Sequence, residues 1–408
     1  MAKEAQAGKK ETASDCRVHI RIKESGGIKV KLKSKVESMY GEAIRKTAAE
    51  MMKFFGIKNV ILDIEDSGSL PFVLTARIEA AVKKCLPKRK EEYISPIIPQ
   101  NLYRVERDRP RRSRLYVPGD QPRLIINAGL YKPDAIILDL EDSVAPPEKE
   151  FTRYIVRNAL RDVDFSGAER MVRINQLPTG IEDLDFIVPH GVHTVLIPKC
   201  EDKDTVKEID ERIQDLRTQH KIKNEIYLMP IIESALGAVN AHKIAAASPN
   251  NVALTIGLED FTADIGAERT LGGKESFLAR QHVVLAARAA GIQPIDSVFS
   301  DVTDEEGLRA SVLEAKSLGF EGKGCIHPGQ IRIVHESFAP GKEEIERAKK
   351  ISLALDEARK KGSGVVALGS KMIDPPVVKR AERILKLAVQ NNQIPANWKE
   401  EHTDEGKK

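Results

Sequence analysis

After residue 112, short apolar runs alternate with stretches of helical period. The runs fall at 115–117, 135–140, 171–174, 194–197, 226–232, 252–257, 294–299 and 324–326. Between most of them, stretches such as 153–160 and 206–217 repeat apolar residues at helical spacing. Eight β-runs alternating with helices predict an α/β fold, a (β/α)8 TIM barrel over residues 112–335. A doubly wound open sheet would carry a glycine-rich nucleotide loop after an early strand, and none is present. Gly322-Lys323-Gly324 lacks the glycine spacing and the Ser/Thr of a phosphate loop. Two further helices, over 343–361 and 375–390, predict a C-terminal helical extension at 336–395, followed by a charged, disordered tail at 396–408.

The first 86 residues read differently. Residues 1–14 lack apolar period and suggest a flexible arm. Alternation over 17–22 and 28–32, with Gly26-Gly27 between, predicts a hairpin. Val36, Met39, Tyr40, Ala43, Ile44, Met51 and Phe55 mark one amphipathic helix ended by Gly56. Residues 59–64 and 72–76 read as two more strands, and a short helix reaches residue 84. The whole is a small α+β domain. Four prolines and many basic residues at 87–111 predict an exposed linker, its charge either simply solvated or attracting an anionic cofactor arm.

Composition narrows the class. With 41% apolar and 31% charged residues, the chain suits a soluble globular enzyme. A formal charge of +4 argues against a nucleic-acid partner. No apolar run approaches the roughly 20 residues that span a bilayer, and the first residues lack the apolar core of a secretory signal. Cys16, Cys85, Cys200 and Cys325 lie far apart, which fits a reducing cytoplasm better than disulfides or zinc.

Charges gather where the apolar runs end: Asp139, Glu141 and Asp142 at the second, Arg173 at the third, Lys199 at the fourth, Glu233 at the fifth and Asp260 at the sixth. Asp301 and His327 follow the last two. In a barrel these ends converge on one mouth. Glu233 and Asp260, two oxygen donors without His or Cys beside them, form the candidate Mg2+ pair. Taken singly, each acid could equally be a helix cap or a salt-bridge partner. Arg173, flanked by apolar residues, is tolerable only facing the mouth, against a carboxylate or oxyanion. His327, before Pro328, also fits a satisfied loop histidine. Asp374-Pro375-Pro376 has the form of a helix N-cap.

The segments Arg111-Arg112-Ser-Arg-Leu-Tyr-Val-Pro-Gly119, Leu138-Asp-Leu-Glu-Asp-Ser-Val144, Val172-Arg-Ile-Asn175, Pro230-Ile-Ile-Glu-Ser234, Gly257-Leu-Glu-Asp-Phe261 and Lys371-Met-Ile-Asp374 resemble, in order, the β subunit of citrate lyase and its malyl-CoA lyase relatives. Ser14-Asp15, the Gly26-Gly27 turn, Tyr40-Gly41-Glu-Ala-Ile-Arg45 and Glu65-Asp66-Ser-Gly-Ser-Leu70 are similar to the citrate lyase acyl carrier protein. The resemblance implies Mg2+ on Glu233 and Asp260, Arg173 at the substrate oxyanion and Arg112 near the thioester. It implies that Asp374 acts as an acid/base in a neighbouring subunit's site, within a homo-oligomer such as a trimer or hexamer. Asp139 and Glu141 join Arg173 and Asp374 as catalytic candidates. Ser14 becomes the candidate attachment point of a phosphoribosyl-dephospho-CoA group, which would make the chain a phosphoprotein. The implied reaction converts citryl-carrier to acetyl-carrier and oxaloacetate, with a separate acyl-transferase subunit as partner. Citramalate lyase, a malyl- or citramalyl-CoA lyase using free thioesters, and a non-catalytic carrier scaffold are the alternatives.

Overall fold

A computed structural model describes residues 4–360, 366–368 and 371–399. The barrel strands are β5 (Ser113–Pro118), β6 (Ala135–Asp139), β7 (Glu169–Arg173), β8 (Thr194–Ile197), β9 (Tyr227–Ile232), β10 (Ala253–Ile256), β11 (Gln293–Asp296) and β12 (Gly322–Cys325). All pair in parallel, and β12 closes onto β5 through Gly324–Arg114. Side chains alternate across each strand. Ile137, Met171, Leu196, Met229, Ile231 and Ile295 therefore fill the interior, while the other face of each strand packs on the surrounding helices. The same alternation carries Asp139, Arg173 and Glu233 inward one pleat further up, where the barrel opens.

The N-terminal domain departs from expectation in three ways. Its sheet runs β1-β2-β4-β3, from β1 (Glu4–Ala7), β2 (Cys16–Ile22), β3 (Ile28–Ser34) and β4 (Val60–Asp66). The expected hairpin does not form, because β4 lies between its two strands, antiparallel to β2 and parallel to β3. Val60, Leu62 and Ile64 offer a fully buried alternating face, so both neighbours gain from β4 more than from each other. Residues 4–7 are a paired edge strand rather than an arm, burying Ala5 and Ala7. Residues 72–76 belong to a helix, α2 (Pro71–Cys85), with Pro71 in its first turn. α2 is apolar on nearly every side because it is covered on both, and short runs of that kind do not distinguish helix from strand. The other helix, α1 (Glu37–Phe54), ends beside Gly56 as its period predicts.

α2 docks on α4 (Lys149–Asp162), which follows the shorter α3 (Pro122–Asn127). Arg157 Nη2 lies 2.7 Å from Glu79 Oε2, with both side chains fully buried, and Asn158 donates to the Phe72 carbonyl at 3.0 Å. Removing one partner of such a pair strands the other charge and costs about 3–5 kcal/mol. Arg157→Met is therefore expected to loosen the domain from the barrel. The check is limited proteolysis, which should show faster cleavage within 87–111; an unchanged rate would contradict this docking.

Most residues of the proline-rich segment are exposed, as expected, but it is anchored to the barrel at several points. Asn101 and Arg111 are buried. Asn101 Nδ2 donates to the Leu160 and Val163 carbonyls, Arg107 to those of Pro249 and Asn251, and Arg111 pairs with Glu169 at 2.8 Å. Arg107, Arg109 and Arg111 thus spend their charge on carbonyls and an acid at the closed end of the barrel. At that end α12 (Lys342–Lys360) and α13 (Pro375–Gln390) form a separate core, reached after α5 (Thr179–Ile187), α6 (Lys203–Gln219), α7 (Ala235–Ala245), α8 (Leu258–Asp264), α9 (Phe277–Ala289), α10 (Glu305–Leu318) and α11 (Gly329–Phe338). Trp398, expected in the disordered tail, is buried in that core. Residues 400–408 of the expected tail lie outside the described residues. Among the described residues no helix is long and apolar enough to cross a membrane.

Candidate active site

The mouth opens into a cavity of about 310 Å3 whose wall includes Asp139, Arg173, Glu233 and Asp260. Arg173, the last residue of β7, grips Asp139 at the end of β6 with two parallel bonds of 2.7 Å. Asp139 also accepts the N–H groups of Glu141 and Ser143. Burial alone would raise its pKa, but the bonds and charge of Arg173 hold the carboxyl below the usual range. Both Asp139 oxygens are thus committed to orienting the guanidinium. Glu141 adds a contact at 3.1 Å to Arg173 Nη1 and one at 3.6 Å to Lys199, from outside the cavity wall.

Glu233 is nearly buried just beyond β9. Its Oε2 accepts the Lys199 backbone N–H at 2.8 Å, and among the described residues no ion pair engages it. Desolvation pushes its pKa up to about 7, with the Lys199 N–H and the Arg173 charge opposing. Gly257 makes the room: a Cβ there would sit 2.4 Å from Glu233 Oε1. Gly257→Ala is therefore expected to displace the carboxylate and remove activity while leaving the fold intact. Normal turnover, measured beside an unchanged circular-dichroism spectrum, would contradict that geometry.

Asp260 sits in the first turn of α8, half exposed, with Lys199 Nζ 3.6 Å from its Oδ1. Ser297, just past β11, accepts the Leu258 N–H and fixes that turn against the barrel. The donors on this wall are oxygens, with no His or Cys lining the cavity. Among the described residues no group of three or more His, Cys, Asp or Glu converges as a closed metal cage. A buried carboxylate short of a cation, beside a second carboxylate with open space before both, fits a hard divalent ion that keeps sites for water and substrate.

Glu233 also sets a pH dependence. In metal-free protein its raised pKa gives stability that is complete below pH 4.5 and lost as pH rises to about 7, on the order of 3 kcal/mol. Urea titrations in a chelator should show wild type losing ground to Glu233→Gln across that window. Parallel curves would count against a buried, uncompensated Glu233.

Other expected site residues fall elsewhere. Arg112 precedes β5, so it lies at the closed end, bonded to Asp134 at 2.8 Å and to Asn391. The expectation of Arg112 beside a thioester is not met within the chain, since strand direction sets it opposite the mouth. Asp301 is exposed and turns its own loop by accepting from Thr303. His327 is exposed and its Nδ1 accepts the Gly329 N–H, the loop role. Asp374 is exposed at the N-cap of α13, makes no side-chain cap bond, and does not line this cavity. Ser14 has left-handed φ of 63° beside Asp15, whose buried carboxylate pairs with Arg77 at 2.7 Å. In the same β1–β2 loop, Lys9 pairs with Asp120, directly after β5 on the mouth side. Arg114, Tyr116 and Thr255, which also line the cavity, escaped the sequence reading. Alternation along β5 points Arg114 and Tyr116 inward, the same signal that found Arg173.

Residues 112–328 match the family described as HpcH/HpaI aldolase/citrate lyase, and residues 2–85 match the one described as malonate decarboxylase delta subunit (MdcD). Citrate lyase subunit beta of Leuconostoc mesenteroides subsp. cremoris is 39% identical over 290 residues, 70% of this chain and 96% of that one. Mitochondrial citramalyl-CoA lyase of Homo sapiens is 32% identical, over 68% of this chain and 86% of that one. The crystal structure of CitE from Mycobacterium tuberculosis, in complex with magnesium, acetoacetate and coenzyme A, superposes with a TM-score of 0.57 at 30% identity, covering 69% of this chain and 99% of that one. The chain belongs to the HpcH/HpaI aldolase/citrate lyase family of carbon–carbon lyases, with an acyl-carrier-like domain joined ahead of the barrel.

Proposed function

We propose that the chain cleaves a 3-hydroxy-3-carboxyacyl thioester by a Mg2+-dependent retro-Claisen reaction, with citryl-carrier giving acetyl-carrier and oxaloacetate. The observation that carries this reading is the uncompensated Glu233 beside Asp260, facing Arg173 across one cavity. When bound by Glu233 and Asp260, Mg2+ supplies Lewis acidity toward the substrate hydroxyl and its neighbouring carboxylate. Arg173, pre-oriented by Asp139, stabilises the alkoxide charge as the carbon–carbon bond breaks. Glu141 steadies Arg173 and Lys199. The partner subunit's Asp374, as acid/base, takes the hydroxyl proton; the electron pair of the broken carbon–carbon bond leaves on the acyl fragment as a thioester enolate, and the partner's Asp374 returns the proton to its α-carbon. That role requires a homo-oligomer, a trimer or hexamer.

The acyl group would ride on a phosphoribosyl-dephospho-CoA arm on Ser14. The Lys9–Asp120 contact supports this, because it ties the Ser14 loop to the mouth side. A tether of this kind holds the thioester at roughly millimolar local concentration. A separate acyl-transferase subunit would reload the carrier, and the cytoplasm is the setting we assign. Arg112, at the closed end, has no part in this scheme. The test is intact-mass measurement of the chain from its native host, paired with an assay of oxo-acid release. A modified Ser14 and cleavage of the carrier-bound citryl group support the scheme. An unmodified Ser14 with cleavage of free CoA thioesters would reassign it as a citramalyl- or malyl-CoA lyase, and cleavage of no thioester would favour a carrier scaffold.

A further inference from the structure

Beneath the pair of carboxylates the cavity ends on a second cation. Arg114, the second residue of β5, is 1% exposed and points into the barrel interior. Its Nη2 donates to Thr255 Oγ1 at 3.0 Å and its Nη1 lies 3.1 Å from Met229 Sδ. A contact of 3.5 Å to the Asp296 carbonyl completes the set, and Nε has no partner among the described residues. Among the described residues no carboxylate bonds to this guanidinium. The nearby acids are spoken for: Asp296 by Lys323 and Arg280, Asp139 by Arg173, Glu169 by Arg111. A fully buried cation held only by neutral groups costs several kcal/mol in desolvation. Arg114 lines the cavity with one N–H, Nε, left unpartnered and only neutral groups on the others, and a guanidinium matches a carboxylate in charge and shape. Thr255 lies two residues, about 7 Å of strand, below Gly257 and hence below the carboxylate of Glu233. That separation suits an oxo diacid whose oxo end is held at the mouth and whose far carboxylate points down.

We propose that Arg114 binds the second carboxylate of the substrate and so selects thioesters that release an oxo diacid over those carrying methyl or hydrogen at that position. This rests on the lyase reading above and narrows it to the citryl class. Arg114 touches the group that distinguishes substrates, and the bond that breaks is left to Arg173 and the acids at the mouth.

The experiment compares wild type, Arg114→Met and Arg114→Lys on citryl, citramalyl and malyl thioesters, with calorimetric binding of oxaloacetate and pyruvate in Mg2+ alongside. A charge-assisted pair lost in a dry site corresponds to roughly 10- to 100-fold. Arg114→Met should lose that much in kcat/KM for citryl and in oxaloacetate affinity, and change less than about 3-fold for the others. Arg114→Lys, which keeps the charge without the fork, should fall between. The unliganded melting temperature of Arg114→Met should equal or exceed that of wild type, because an unpaired charge has been removed. Equal losses on all substrates, or none, overturn the proposal, as does a lowered melting temperature with uniform loss. Should Arg114→Met fail to fold, Arg114→Lys gives the same discrimination. If no thioester is cleaved, the lyase reading fails alone, and the oxaloacetate-to-pyruvate preference still decides Arg114.

Discussion

Glu233→Gln is expected to reduce kcat at least about 1000-fold and to abolish Mg2+ binding, with no loss of fold. The amide keeps the shape of the carboxylate and can still accept the Lys199 N–H. What it removes is a charge that burial already disfavours, as its rise to about 7 shows. At pH 8 the metal-free variant should therefore unfold at the same or higher urea concentration than wild type. Charge stabilisation at a developing oxyanion is worth 10²–10³ for a single hydrogen-bond donor, and loss of a metal ligand removes more. Asp260→Asn should have a similar kinetic effect, and because Asp260 is half exposed its stability cost should be small. Calorimetric Mg2+ titration of each variant is the check. Retained metal affinity with retained turnover would dissolve the pair.

Arg173→Met is expected to damage fold and function together. Asp139, with both oxygens bonded to Arg173, would be left charged and 1% exposed. Stranding it costs about 3–5 kcal/mol. Chemical denaturation should register that loss, and activity measured well below the transition should fall by a further 100-fold or more. The double variant Arg173→Met with Asp139→Leu should recover most of the stability and none of the turnover. If the double variant recovers turnover, Arg173 is a strut and the alkoxide is stabilised by something else.

The barrel was legible in the sequence because most of its strands carry a short apolar run, separated from the next by helical period, although β12, Gly-Lys-Gly-Cys, does not. Glu233 and Arg173 were legible for a related reason: each interrupts such a run where burial would otherwise be prohibitive. The N-terminal sheet was harder. Residues 17–22 and 28–32 alternate as a hairpin should, and nothing local reveals that residues 60–66 will insert between them. The helix at Pro71–Cys85 hid because docking on Arg157 and Asn158 erased its polar face. Arg112 and Arg114 show the finest limit. They are two positions apart, and only the start of β5 and the strand direction decide that one meets Asp134 at the closed end while the other meets Thr255 inside the barrel. Asp374 carries the form of a cap without a cap bond, which leaves its carboxylate exposed.

The most direct measurement is oxo-acid release from citryl, citramalyl and malyl thioesters, scored with Mg2+ and again in chelator. The account predicts rapid release of oxaloacetate from the citryl thioester with Mg2+, and a fall of at least about 1000-fold in chelator. Cleavage that proceeds at the same rate without a divalent ion would contradict it.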